Sequence, residues 1–209
     1  MDFDSLPGRP MIKNFLLHGS NVVLLFAVLA IGGLALAGVV SLFPLWILAG
    51  VALFYLSEYG THRFLFHATP SDWGWLRHLQ HRLHYDHHLE PSRLDLLFLP
   101  VWFVVPNLTI TFLIAWGLIG DWQSALSVVL GAMLGLFHYE WVHYVAHIPY
   151  RPRTSFGRWM KKYHLWHHFK NEHYWFGVSN PVLDAVHRTY RDPEAVPRST
   201  TARVLHPEM

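Results

Sequence analysis

The sequence predicts an all-α protein: a four-span transmembrane helical bundle with a histidine-rich helical cap on its cytoplasmic side. Three observations carry that expectation. Hydrophobic residues fill 52% of the 209 positions and Asp, Glu, Lys and Arg only 14%, where an ordinary soluble domain is about 25% charged. No Asp, Glu, Lys or Arg occurs from Asn14 to Ser57, a stretch long enough for two spans of about 20 residues. Histidine, at 17, outnumbers Lys and Arg together, at 16, and ten of the 17 fall in two matching batches.

Taken in order, the first ten residues hold two acids and two prolines, without the basic start and cleavage site of a secretory signal. Residues 1–13 read as a cytoplasmic tail, and residues 14–190 as the membrane-embedded domain. The first span is expected near residues 21–41, ending at Ser41-Leu42-Phe43-Pro44 because proline cannot continue a helix interior. The second is expected near 45–60 and runs into the histidine region through Ser57-Glu58-Tyr59-Gly60-Thr61-His62. Residues 61–95 are polar. Apolar sequence resumes over 96–119, interrupted by Pro100 and Pro106, which predicts a kinked span, with partial re-entry as the alternative. Residues 122–147 form a fourth apolar helix whose final turns carry Glu140, His143 and His147, stopped by Pro149 and Pro152. Residues 191–209 read as a cytoplasmic C-terminal tail.

Every Lys and Arg lies in residues 1–13, 61–95 or 151–209, and none lies in the 41–44 or 117–124 connections. The positive-inside rule therefore makes those three segments cytoplasmic. Four spans then place both termini and all the histidine motifs on one side. Three spans would separate the first two motifs from the last two.

The stretch that organises the chain is Tyr163-His164-Leu165-Trp166-His167-His168. At about 100° per helical residue, His164, His167 and His168 share one face. The same H-x-x-H-H pattern occurs in His84-Tyr85-Asp86-His87-His88, and a looser pair precedes each copy: His62 with His67, and His143 with His147. His143 and His147, four apart, can serve one ion from one helical face. His62 and His67 are five apart, about 140° round an ideal helix, and converge only if the helix bends.

A lone helical histidine is more often a hydrogen-bonded core or surface residue than a ligand. Ten in two batches, with no cysteine in the chain, are not explained by packing. Imidazole is the commonest metal ligand and suits Fe, Zn, Cu and Ni. Ten imidazoles exceed what one four- to six-coordinate ion takes, so a dimetal site is expected. An all-neutral ligand set leaves a cationic centre, which asks for carboxylates behind the ligands. Glu58, Asp86, Glu140 and Asp184 are the candidates, while Glu90 and Glu172 read as solvated surface acids. Glu140 stands one turn before His143 on an apolar helix, where an unpaired charge is costly. His78, His81, His138, His173 and His187 fall outside the ten and read as outer or surface residues. The aromatic residues Tyr55, Tyr59, Phe137, Trp141 and Tyr144 are placed to line an apolar slot.

Several runs together resemble a known family: Glu58-Tyr59-Gly60-Thr61-His62-Arg63-Phe64-Leu65-Phe66-His67, His84 to His88, Ser92-Arg93-Leu94, His143 to His147, and His164-Leu165-Trp166-His167-His168-Phe169-Lys170-Asn171. Phe176-Gly177-Val178-Ser179-Asn180 and Asp184 add to the likeness. Over about residues 53–190 the chain resembles the integral-membrane fatty acid hydroxylase and sterol desaturase superfamily, and within it is most similar to fatty acid 2-hydroxylases. The resemblance implies a centre of two Fe ions, where Zn can enter during purification, that uses O2 and external electrons. Its ligands carry over onto His62, His67, His84, His87, His88, His143, His147, His164, His167 and His168. The implied reaction is hydroxylation of a fatty acyl chain of a lipid at the 2-position, with sterol or carotenoid oxidation as alternatives in the same superfamily.

Eukaryotic members of the subfamily carry a fused cytochrome b5-type haem domain, for which this chain has no room. A separate reductase, ferredoxin or cytochrome is thus the expected electron donor. A histidine-rich metal-binding or metal-transport membrane protein is the alternative of another class. Transport predicts ionisable residues at mid-bilayer depth, and residues 28–36 and 105–113 lack them. A formal charge of +2 and the absence of any dinucleotide or phosphate-loop motif give no reason to expect a nucleic acid or nucleotide partner.

Overall fold

In a computed structural model, which describes residues 8–206, the apolar runs are mostly helical, with breaks at residues 37–43 and 98–100. The helices are α1 (Gly8–Leu16), α2 (Gly19–Leu36), α3 (Pro44–Thr61), α4 (Gly74–Gln80), α5 (Asp86–Leu89), α6 (Leu94–Leu97), α7 (Val101–Ile119), α8 (Trp122–His147), α9 (Ser155–Phe169) and α10 (Val182–Val186). Among the described residues, three segments are long and apolar enough to cross a membrane: Gly19–Leu36, Leu94–Ile119 and Trp122–His147. The chain is an all-α, multi-pass membrane protein. α3 is not among the three, and it ends on the polar run Ser57-Glu58-Tyr59-Gly60-Thr61.

Several boundaries differ from the sequence expectation. Residues 8–13, read as tail, belong to α1, which buries Met11 and Phe15. Residues 1–7 of that expected tail lie outside the described residues, as do 207–209 of the C-terminal one. α2 stops at Leu36 rather than near residue 41, because Gly38 adopts a left-handed conformation (φ 72°). Its N–H bonds Ala35 O and the Val39 N–H bonds Leu34 O, at 3.0 and 2.9 Å, so the last carbonyls of α2 are satisfied there. The expected 96–119 span is divided: α6 is separated from α7 by Phe98, Leu99 and Pro100, and Pro106 lies inside α7.

The chain divides into two compact units, residues 8–55 with 99–140 and residues 56–98 with 141–206. The first is a bundle built on Leu24, Ile31, Val129, Leu130, Met133 and Leu136. Glycines let α3 and α8 meet backbone to backbone: a Cβ on Gly50 would overlap Val128 O, and one on Gly131 would overlap Ile47 O. A methyl at Gly135 would collide with the Phe54 ring. Close approach through small residues is how helices gain contact in lipid, where hydrophobic transfer gives no drive for them to associate. Phe26, Leu29 and Leu36 of α2 are exposed, as suits a surface facing hydrocarbon. Asp121 caps the start of α8 by accepting from the Ser124 and Gln123 N–H groups, at 2.8 and 3.4 Å.

The second unit holds α4, α5, α6, α9 and α10, the end of α3 and the end of α8. α9 begins at Thr154, whose hydroxyl accepts from Gly157 N–H at 3.0 Å. Lys161 does not reach out to a partner. Its ammonium donates to the carbonyls of Val145, Ile148 and Tyr150, at 3.0, 2.6 and 3.0 Å. That closes the C-terminal end of α8, where backbone carbonyls lack helical donors and favour a cation.

Candidate metal centre

The weakest histidine pair on sequence grounds is brought together by a change of helix type. α3 passes into a π-helical turn, His62–Phe66, in which the His67 N–H bonds the His62 carbonyl at 3.2 Å. An i→i+5 bond sets residue 67 over residue 62, which removes the angular separation of an ideal α-helix. The two rings lie 5.0 Å apart. A second π-helical turn, His81–Tyr85, leads from α4 into α5 and carries His84.

The ten imidazoles form two groups of five. His62, His67, His84, His88 and His167 make one, and His87, His143, His147, His164 and His168 make the other. Within each group one nitrogen per ring lies within 4.8 Å of all the others. In the first, the Nε2 atom of His67 lies 2.7 Å from that of His84 and 3.0 Å from that of His167. In the second, Nε2 of His87 is 3.0 Å from that of His143, and Nε2 of His147 is 2.9 Å from that of His164. Both groups lie within the unit of residues 56–98 and 141–206. His78, His81, His138, His173 and His187 belong to neither. His81 faces Asp86 (3.2 Å), His138 accompanies Tyr55 (2.9 Å), His173 lies 3.5 Å from Glu172, His187 stacks on Tyr59, and His78 is exposed.

Burial keeps these rings neutral, the form that binds metal. It lowers His62 from 6.5 to about 4 and His87 to about 3. It takes His67, His84, His88, His164, His167 and His168 well below their ordinary value, with neighbouring imidazoles pushing the same way. Nε2 of His62, Nε2 of His88 and both nitrogens of His168 are buried without a protein hydrogen-bond partner. Buried polar atoms are otherwise almost always paired. Converging, neutral and unpartnered nitrogens fit two metal ions.

Behind the first group stand backbone carbonyls. Nδ1–H of His62 donates to Phe176 O, that of His167 to Tyr174 O at 2.8 Å, and that of His88 to Ala202 O at 2.8 Å. A carbonyl only accepts, so each of these rings is fixed as the tautomer that leaves Nε2 free for a metal. Of the carboxylates expected in this place, Asp184 acts one step further out. Asp184, fully buried, accepts from Tyr163 OH (2.7 Å), Phe176 N–H (2.9 Å), Gly177 N–H (2.7 Å) and the Thr189 hydroxyl (2.6 Å). It therefore orders the turn that presents Phe176 O to His62. Glu58 binds the Ser179 N–H (3.0 Å) and hydroxyl, and Glu140 binds Leu99 N–H at 3.0 Å. Asp86 is half-exposed beside His81.

Glu172, read from sequence as a surface acid, is buried and accepts from the Ser199 and Thr201 hydroxyls. The expected slot aromatics are engaged in packing and hydrogen bonding: Tyr59 OH pairs with the Thr189 hydroxyl, Phe137 meets Phe15 edge-on, and Tyr144 stacks on Phe98. The parts that sequence reasoning missed are Tyr174, Phe176 and Ala202, which act through main-chain carbonyls and so leave no residue-type signal.

An all-α membrane protein with two five-imidazole groups able to hold metal is the class that the fold and site define. The fatty acid hydroxylase family pattern matches residues 47–189, a stretch that contains all ten histidines, and the chain belongs to that family. It is 34% identical over 154 residues to the fatty acid 2-hydroxylase of Macaca fascicularis, covering 72% of this chain and 40% of that protein. It is 33% identical over 172 residues to a ceramide very long chain fatty acid hydroxylase of Saccharomyces cerevisiae, covering 78% of this chain and 42% of that one. A dihydroceramide fatty acyl 2-hydroxylase of Arabidopsis thaliana is 34% identical over 154 residues, 68% of this chain and 59% of the plant protein. A solved structure of full-length scs7p, with only its hydroxylase domain visible, superposes with a TM-score of 0.64 at 28% identity, over 91% of this chain and 64% of that chain. The chain thus spans less than two thirds of the length of each of these relatives.

Proposed function

We propose that the chain is an O2-dependent, non-haem diiron membrane monooxygenase that hydroxylates a fatty acyl chain of a lipid at the 2-position. The observation that carries this reading is the pair of five-imidazole groups, held in a chain whose relatives are named as acyl 2-hydroxylases. His62, His67, His84, His88 and His167 would hold one ion, and His87, His143, His147, His164 and His168 the other. Two iron ions would supply O2 activation and removal of hydrogen from an acyl C–H bond. The protein's part is to present neutral imidazoles, three of them in fixed tautomers, and to keep bulk water from them, which the burial of all but His67 and His147 supports. An apolar cleft of about 270 Å³ between α2, α7 and α8, lined by Val23, Leu24, Val104, Leu108, Phe112 and Met133 among others, offers hydrocarbon surface of the kind an acyl tail fills.

In the same reading the chain crosses the bilayer four times, with α3 as a fourth span, and both termini and the histidine groups face the cytoplasm. The distribution of Lys and Arg supports that orientation. Electrons come from a separate donor. The test is lipid mass spectrometry of cells expressing the protein under 18O2. Acyl chains should gain one labelled oxygen at carbon 2, and variants of His84 or His164 should not give it. Label at another carbon or on a sterol overturns the positional assignment, and no labelled lipid overturns the enzyme.

A further inference from the structure

The two imidazole groups are not built alike. Three of the five rings in the His62 group hand their Nδ1–H to carbonyls of Tyr174, Phe176 and Ala202, all from chain that follows the last histidine triplet. In the His87 group, Nδ1 of His87, of His164 and of His168 is buried and meets no protein partner. One segment thus orients one group.

Two devices hold that segment. The first is Trp175, a fully buried residue with φ 59°, a left-handed conformation that a bulky side chain adopts only when its surroundings enforce it. It stands between the two carbonyls that meet His167 and His62. Its N–H bonds Thr189 O at 3.1 Å and its indole N–H bonds Arg191 O at 3.0 Å, and its ring packs with Tyr163 and Val196. The second is the return of residues 196–203. Ser199 N–H bonds Lys170 O at 2.7 Å, Asn171 donates to Pro197 O at 3.1 Å, and Glu172 takes the Ser199 and Thr201 hydroxyls. Arg203 then donates to Leu89 O at 2.7 Å and His88 O at 3.2 Å, with its guanidinium over the Phe169 ring. Two donors on the carbonyls that end α5 fix His88 from the backbone side, while Ala202 fixes its ring. Ala202 and Arg203 lie beyond the residues that the family pattern matches.

We propose that residues 174–203 form a strap that builds the His62-group metal subsite and not its neighbour, with Arg203 as a positioning residue for His88. The two ions are then retained with unequal strength, and Arg203 governs only one of them. This rests on the dimetal reading above. Arg203 is exposed, so its replacement spares the core.

The experiment is metal analysis of the purified full-length protein with the time course of metal loss to a chelator, for the unaltered chain and for R203A, R203K, H84A and H164A. The unaltered chain should carry two ions lost in two phases. H84A identifies the phase of the His62 group and H164A that of the other. R203A should accelerate the first phase by about ten- to a hundred-fold, the usual effect of removing support behind a ligand. It should leave the second phase and the circular dichroism spectrum unchanged. R203K, which keeps a donor for the same carbonyls, should restore much of the loss. Two ions whose release R203A leaves unchanged, or accelerates equally, overturn the strap alone. A chain that holds no metal overturns the dimetal reading beneath it.

Discussion

His87 and His167 hold the same place in their two H-x-x-H-H triplets, and each lies among the imidazoles contributed mainly by the other batch. Helix geometry accounts for the exchange. Relative to the first histidine, the third residue on falls about 60° to one side and the fourth about 40° to the other. Each triplet therefore straddles the two groups. Its outer pair serves its own group and its middle ring the neighbour's. His87→Ala should remove the ion shared with His143 and His164, although His84 and His88 are its sequence neighbours. His87→Ala with His164→Ala should then cost no more metal than either change alone, whereas His87→Ala with His84→Ala should strip both ions. Metal stoichiometry of the single and double variants decides, and a His87–His84 double variant that still holds one ion contradicts the exchange.

Asp184 collects four donors in a fully buried position. Asp184→Asn keeps the shape but turns one acceptor into a donor facing N–H and O–H groups, which leaves buried polar atoms unpaired. A loss of roughly 3 kcal/mol in stability is expected. Faster metal loss from the His62 group should accompany it, because the Phe176 carbonyl loses its anchor. Unfolding in detergent followed beside metal content tests both. A variant as stable as the parent removes Asp184 from this role.

What could be read from the chain was whatever a side chain advertises. The gathering of the ten histidines and the helices over the apolar runs near 45–60 and 122–147 were legible because imidazole spacing and hydropathy are side-chain properties. The approach of His62 to His67 was not, since it depends on an i→i+5 backbone bond that no residue type announces. Nor was the end of α2 at Leu36, where Gly38 competes with the more conspicuous Pro44 as a stop. Of the four carboxylates expected behind the ligands, Glu58, Glu140 and Asp184 are buried and Asp86 is half-exposed. Their partners turned out to include main-chain N–H groups, because carbonyls had already taken the outer nitrogens of His62, His88 and His167.

Gly131 sets how near α8 comes to α3. A methyl there has no room beside Ile47 O, so Gly131→Ala should push the helices apart and cost about 1–3 kcal/mol. Gly117, where an added Cβ meets nothing, is the control, and Gly117→Ala should be neutral or slightly stabilising. Comparing detergent unfolding of the two variants tests the contact. Equal stability for both would refute it.

The metal-stripped protein should lose stability on the acid side. His62 and His87 are held in the folded state at about 4 and about 3, against an ordinary 6.5. The unfolded chain therefore binds more protons between those values. Their contribution is complete above pH 6.5 and is lost as pH falls from there through 4. Bound metal should be released in the same direction, because protons compete for the same nitrogens. Unfolding midpoints of the stripped protein from pH 7.5 to 4.5 should fall steadily below 6.5. A flat profile would mean that the rings are already solvated.

The chain contains no cysteine, so single introduced thiols report sidedness without background. The proposed four spans place Ser92 and Arg153 on the cytoplasmic side, and Ser41 and Leu118 on the other. All four positions are exposed. In sealed inside-out vesicles a membrane-impermeant maleimide should label Ser92→Cys and Arg153→Cys, and should reach Ser41→Cys and Leu118→Cys only after detergent is added. The pair Ser41 and Ser92 tests whether α3 crosses, because it flanks that helix. If both label from the same side, α3 does not span and the count of four fails. If Ser92 and Arg153 label from opposite sides, the two triplets are parted by the bilayer, and no pair of ions can be shared between them.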